Sequence, residues 1–263
     1  HQVIHSKSPA LARAMPGFVL RYIQRILHED ELNHAMRLIG HTRGLEFLQR
    51  MLDYLGTTVE VKGLEHIPHE GGVVLASNHP LGGLDGMALM HAVGQRRTDI
   101  HFLVNDVLLN IKNLEPLFVP VNKVGVNPRK ALQMIEDTYA SEGTILVFPA
   151  GLVSRKLPEG IADLPWQKSF IARAIKYQKP IVPVHIGGRN SHFFYNLARL
   201  RQRLGIKANI EMFYLVDELF KQRNQTLHIT VGAPTHWSRF QDGTPLYDWA
   251  QELRRQVYPL PHS

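Results

Sequence analysis

The fold is read from Val73-Val74-Leu75-Ala76-Ser77-Asn78-His79-Pro80-Leu81-Gly82-Gly83-Leu84-Asp85-Gly86. Four apolar residues predict a strand buried on both faces, and the proline and two glycines after it predict a turn. From Gly86 to Val93 the pattern is helical, so the stretch is a strand–turn–helix unit. Further candidate strands follow at Ile100–Val104, Leu117–Val121, Thr144–Phe148, Ile181–Ile186, Asn209–Leu215 and Leu227–Val231. Helical patterns lie between them at Arg129–Tyr139, Lys168–Tyr177 and Phe193–Leu204, and Tyr247–Val257 closes the chain as an amphipathic helix. Such alternation predicts an α/β fold on a mixed, largely parallel sheet flanked by helices.

N-terminal to this unit the period changes. Phe18, Leu20, Ile23, Ile26 and Leu27 recur at helical spacing. A second helical run goes from Asp30 to Leu38, and a third from Leu45 stops at Gly56. Thr58, Glu60 and Lys62 then alternate with Val59 and Val61, as in a half-buried strand. The expected division is a helical segment over 1–56 packing on an α/β domain over 57–263.

Loops beyond strand ends are where open α/β sheets place ligands. A histidine there with a carboxylate nearby makes a general base, because the carboxylate fixes the ring tautomer and stabilises the imidazolium. His79 and Asp85 are the candidate pair. Gly82 and Gly83 let backbone amides approach a substrate and are candidate oxyanion donors. Taken alone, the same residues also fit a loop histidine and a helix-capping aspartate.

Three downstream segments weigh against that plainer alternative. Asn78-His79 with Asp85, Leu117-Phe118-Val119-Pro120-Val121-Asn122-Lys123, Phe148-Pro149-Ala150-Gly151 with Ser154-Arg155, and Ile181-Val182-Pro183-Val184 stand in that order. Together they resemble the blocks of the glycerolipid acyltransferases of the 1-acylglycerol-3-phosphate type, over about 73–188. The resemblance implies the glycerol-3-phosphate acyltransferase-like fold. It also implies transfer of a fatty acyl group from acyl-CoA or acyl carrier protein to a lyso-lipid hydroxyl, with no permanently bound cofactor. His79 and Asp85 become the expected catalytic pair. Asn78, Gly82, Gly83, Lys123, Phe148, Pro149, Gly151, Ser154 and Arg155 become the expected substrate-binding residues. Two departures stand out: five residues separate His79 from Asp85 where the family has four, and Ala150 replaces the family's glutamate. These variants are similar to the hemolysin-related branch, close to bacterial aminolipid O-acyltransferases. A lyso-aminolipid therefore joins lysophosphatidic acid as a candidate acceptor.

Composition fits this expectation and removes others. The 263 residues include 44% hydrophobic ones, enough for a full core, and no cysteine, which excludes thiolate nucleophiles and cysteine-held zinc. No G-x-S-x-G elbow, phosphate loop or dinucleotide fingerprint occurs, and His28 and His34 lack metal-site spacing. The net charge of +7 suits an anionic partner. Anionic lipid, acyl carrier protein and coenzyme A all qualify, and no nucleic-acid module accompanies the charge; Arg199, Arg201, Arg203 and Lys207 beside Phe193, Phe194 and Tyr195 favour a membrane surface. No apolar run spans a bilayer. Phe193, Phe194, Arg199 and Arg203 are the expected contacts, with Phe18–Leu27 a second candidate, for a peripheral protein on the cytoplasmic side of the cell membrane. Two other functions stay open: a non-catalytic, hemolysin-like membrane binder on the same scaffold, and an ester or thioester hydrolase.

Overall fold

The computed structural model describes residues 16–105, 108–122 and 128–258. Three helices come first: α1 (Gly17–Ile26), α2 (Glu29–Ile39) and α3 (Gly44–Leu55). They lead into β1 (Thr58–Lys62), β2 (Val73–Ser77) and α4 (Gly83–Gly94). Next come β3 (Ile100–Asn105), β4 (Phe118–Asn122), α5 (Pro128–Ala140) and β5 (Thr144–Val147). A short hairpin, β6 (Arg155–Leu157) and β7 (Gly160–Ala162), precedes α6 (Ser169–Lys176) and β8 (Ile181–Ile186). The chain continues through α7 (His192–Arg203), α8 (Leu215–Lys221), β9 (Thr226–Val231) and α9 (Leu246–Val257).

Seven strands form one sheet in the order β1-β9-β8-β2-β5-β3-β4. Every neighbouring pair is parallel except β8 and β9. The sheet is therefore α/β, mixed and largely parallel. Parallel neighbours need crossovers, and α4 and α5 supply those after β2 and β4. The period of two in β2 divides the interior. Val73 and Leu75 join one core with Leu48, Leu52, Leu84 and Leu89 of α3 and α4. Val74 and Ala76 face the other, with Tyr139 of α5, Ile171 of α6 and Leu253 of α9. Helices thus cover both faces, which explains why the central strands are apolar throughout.

One expected strand is a correction. Residues 209–215 form a 3-10 turn over Ile210–Tyr214 that runs directly into α8. Two fully buried glutamates, Glu211 in the turn and Glu218 in α8, anchor this stretch. Glu211 meets Arg155 and Arg201, while Glu218 accepts from the Ser191 backbone and hydroxyl and from Lys221. Leu215, Val216, Leu219 and Phe220 also follow a helical rather than a strand period.

Candidate active site

The β2 ladder ends at Ser77, and the side chain of Asn78 continues it. Its Nδ2 donates to Ile186 O at 2.9 Å, and its Oδ1 accepts from Ile186 N–H at 2.7 Å. Asn78 thereby ties the end of β2 to the end of β8 and is 2% exposed, so it shapes the site from below. His79 follows at the rim.

The chain turns back through Pro80, Leu81 and Gly82, the last at a φ of 92°, where a side chain would be strained. A Cβ at Gly82 would also stand 3.1 Å from Leu215 of α8. α4 starts at Gly83, three residues earlier than the apolar pattern predicts, so the N-cap position falls on Gly82 and Asp85 lies in the first turn. The turn absorbs the additional residue between the pair and returns the carboxylate to the imidazole. Asp85 Oδ2 lies 2.8 Å from His79 Nδ1. The same oxygen accepts the N–H groups of Leu81 at 2.8 Å and Gly82 at 2.9 Å. Asp85 therefore caps the helix and holds the histidine at once. The Gly82 amide, expected as an oxyanion donor, is occupied by Asp85, whereas Gly83 lies exposed in the first helical turn.

Asp85 is fully buried, and burial pushes its carboxyl above the ordinary range. The hydrogen bond and charge of His79 and the two backbone amides oppose that shift. Its other oxygen, Oδ1, is buried without a hydrogen-bond partner among the described residues. In a neutral imidazole that donates Nδ1–H to Asp85, Nε2 is the nitrogen with the free lone pair, and no described residue hydrogen-bonds to it. Phe148 lies flat on the imidazole, with ring centroids 4.2 Å apart and planes 13° apart, and Phe102 meets Phe148 edge-on. Pairing and stacking together restrict the ring to one orientation.

The Phe148–Gly151 segment is a tight turn in which Gly151 N–H donates to Phe148 O at 3.0 Å. Pro149 is buried and its carbonyl accepts from Gln167 N–H. Ser154 is buried under the histidine, with its N–H donating to His79 O at 2.8 Å. Its hydroxyl donates to Asp163 Oδ1 at 2.6 Å. Arg155, expected to hold an acceptor anion, has its guanidinium committed within the protein. It donates to Glu211 Oε1 at 3.0 Å and Val153 O at 2.8 Å, and lies over the Phe194 ring. Burial lowers its pKa, and Glu211 opposes that shift. Lys123 lies outside the described residues.

Asp163 was not visible as a site residue in the sequence. It is fully buried, and its carboxylate gathers three donors: His79 N–H at 3.1 Å, the Ser154 hydroxyl at 2.6 Å and Trp166 Nε1–H at 2.9 Å. The signal that could have revealed it is an acid shortly before a tryptophan, between two recognised blocks.

The expected membrane contacts divide. On α7, Phe193, Arg199 and Arg203 are exposed, but Phe194 is fully buried beside Tyr195 and Val153, which corrects its expected place at a bilayer. Successive residues on a helix turn by 100°, so one of two adjacent phenylalanines faces inward. Phe193, Leu200 and Leu204 line an apolar exposed stripe, with half-buried Leu197 between them. α1 has no buried residue, and its Phe18 is 68% exposed. The Tyr22 hydroxyl is 2.7 Å from that of Tyr214, whose ring meets Phe193, so the two apolar faces adjoin. Among the described residues no helix is long and apolar enough to cross a membrane.

Known proteins of similar sequence agree with this architecture. Residues 2–263 match the model of the acyltransferase family. A lyso-glycine lipid O-acyltransferase of Bacteroides thetaiotaomicron is 42% identical, covering 98% of this chain and 96% of the relative. One of the same description from Phocaeicola vulgatus is 41% identical, covering 98% and 93%. The crystal structure of the 1-acyl-sn-glycerophosphate (LPA) acyltransferase PlsC from Thermotoga maritima shares the fold. Its TM-score is 0.52 at 18% identity, over 97% of this chain and 90% of that one. The chain, matched from end to end by one enzyme family, belongs to the acyltransferases.

Proposed function

We propose that this acyltransferase moves a fatty acyl group from an acyl thioester, acyl-CoA or acyl carrier protein, to the hydroxyl of a lyso-lipid. The observation that carries the reading is the 2.8 Å contact of His79 Nδ1 with buried Asp85, which leaves Nε2 as the base. Nε2 takes the acceptor's hydroxyl proton as the oxygen attacks the thioester carbonyl. The tetrahedral oxyanion collapses with cleavage of the C–S bond, and the imidazolium returns its proton to the departing thiolate. Asp85 stabilises the imidazolium, and the Gly83 amide is the oxyanion donor left by the capping geometry.

The acceptor is a lyso-aminolipid such as lyso-glycine lipid. Both relatives above 40% identity bear that description. Commitment of Arg155 to Glu211 and the absence of a glutamate at Ala150 disfavour a phosphate-centred acceptor site. The enzyme works on the cytoplasmic face, where acyl thioesters are available, as a peripheral protein. The stripe of Phe193, Leu200 and Leu204, flanked by Arg199 and Arg203, suits an anionic bilayer, as does the neighbouring face of α1.

The test is thiol release from acyl-CoA and acyl carrier protein thioesters with a panel of lyso-lipids. Lyso-glycine lipid should support turnover, and His79→Ala should lower it by about 10³-fold or more. Thiol release independent of acceptor would make the protein a hydrolase. Unchanged turnover in His79→Ala would remove the general-base mechanism.

A further inference from the structure

We infer that Asp163 is a positioning residue for His79, acting through the histidine's peptide groups, and that it couples the C-terminal helix α9 to the reaction. The inference rests on the proposed role of His79 as base. Asp85 and Phe148 fix the ring, but neither fixes the backbone from which the ring projects. That backbone has left the sheet, because β2 ends at Ser77, so the N–H and C=O of His79 need partners beyond the ladder.

Asp163 and Ser154 provide them. The His79 N–H donates to Asp163 Oδ1, and the His79 carbonyl accepts from Ser154 N–H. The Ser154 hydroxyl then joins the two by donating to Asp163 Oδ1. Both peptide groups of the histidine are thus gripped by one buried pair. A base misplaced by about 1 Å loses about 10²-fold in rate, so a grip of this kind has catalytic consequences without touching substrate.

The grip is anchored far away in sequence. Asp163 N–H donates to the Tyr258 hydroxyl at 2.6 Å, and Asp163 O accepts from Arg254 at 2.5 Å. Arg254 lies in the last turn of α9, and Tyr258 immediately follows that helix. Trp166, fully buried and packed on Phe170 of α6, adds the third donor to the carboxylate. A shift of α9 would therefore reach the base through one residue.

Asp163→Asn tests this with little change of shape. Three donors converge on the carboxylate, and an amide offers only one acceptor oxygen, so its NH₂ must face a donor. The expected result is a fall in kcat of about 10–100-fold, with KM for donor and acceptor within about threefold. Adding Trp166→Phe removes the opposed donor and lets the amide oxygen face His79, so the double variant should regain most of the lost kcat. Independently of turnover, the downfield imidazole N–H proton resonance that disappears in His79→Ala should broaden in Asp163→Asn and sharpen again in the double variant. If Asp163→Asn fails to fold, Tyr258→Phe carries the test, with a kcat loss of about 3–10-fold. A kcat that holds while only Tm falls would make Asp163 a scaffold residue, and a rise in KM alone would make it a binding residue. Either result overturns the inference. Absence of wild-type turnover with every acceptor would fail the proposed function instead, and the resonance experiment would still decide the role of Asp163.

Discussion

The floor of the candidate site and the flank formed by α1, α7 and the turn before α8 are built on opposite terms. In the floor, polar groups find partners within the chain. Asn78 uses both side-chain atoms on Ile186, Asp85 Oδ2 collects three donors, and Asp163 collects three more. On the flank, large apolar groups face outward, with Leu204 65% and Phe213 62% exposed. Apart from Asp85 Oδ1, the polar groups named in the floor are satisfied within the fold, whereas the flank leaves an apolar surface uncovered among the described residues. The two regions are joined at α8. Leu215 packs on Gly82, the Tyr22 hydroxyl meets Tyr214, and His28 reaches Asp217 at 2.9 Å. The proposed membrane-facing flank and the proposed catalytic floor are thus physically adjacent and chemically distinct.

Three variants test that separation, the last as a control outside both regions. The largest effect belongs to the floor. Asp85→Asn keeps an acceptor for Nδ1–H but removes the charge that balances the imidazolium, so kcat should fall by about 10²–10³-fold in the thiol-release assay. Stability should move little, because burial already disfavours the charge. The folded pKa of Asp85 is raised, so its ionisation costs stability above the ordinary carboxylate range and costs nothing well below it. Denaturant melts at pH 7 should therefore place this variant within about 1 kcal/mol of wild type. A large loss of stability with normal turnover would reverse the assignment of the floor.

The flank comes next. Leu200→Glu with Leu204→Glu should weaken binding to anionic vesicles by about 10–100-fold, since both leucines lose an apolar environment there. Turnover of a short-chain, water-soluble acceptor should stay within about twofold. Equal vesicle binding by the double variant would show that this stripe does not meet the bilayer. The smallest effect belongs to neither region. Glu136 of α5 is held down to about 2 by hydrogen bonds from Lys176, Tyr177 and Arg173. Its folded pKa is depressed, so its contribution is present above the ordinary value and is lost as pH falls towards 2. Glu136→Gln should cost about 1 kcal/mol at pH 7 and nothing near pH 2, with unchanged turnover.

Much of the fold was legible because β2, β5 and β8 are short apolar runs bounded by turn residues, and the helices between them keep a clear period. Residues 209–215 misled for a physical reason. Their apolar residues resemble a strand until the partners of Glu211 and Glu218 are known, and those partners lie 56 and 27 residues away for Arg155 and Ser191. The His79–Asp85 contact was legible as a local spacing made credible by ordered blocks. The connection of Asp163 to His79 was not, because it crosses 84 residues and uses a backbone N–H that no side-chain motif records. The same limit applied to Arg155, whose arginine is plain in the sequence while the glutamate that claims it is not. Exposure on α7 was half legible, since composition gives two phenylalanines but only packing decides which one turns inward.

The bridge from Asn78 to Ile186 also makes the site self-reporting. The Ile186 amide is shielded from solvent by a side chain rather than by a strand, so its deuterium uptake requires Asn78 to let go. Asn78 is joined directly to His79, so exchange of the Ile186 amide is expected to report the moments at which the His79 loop comes away from the sheet.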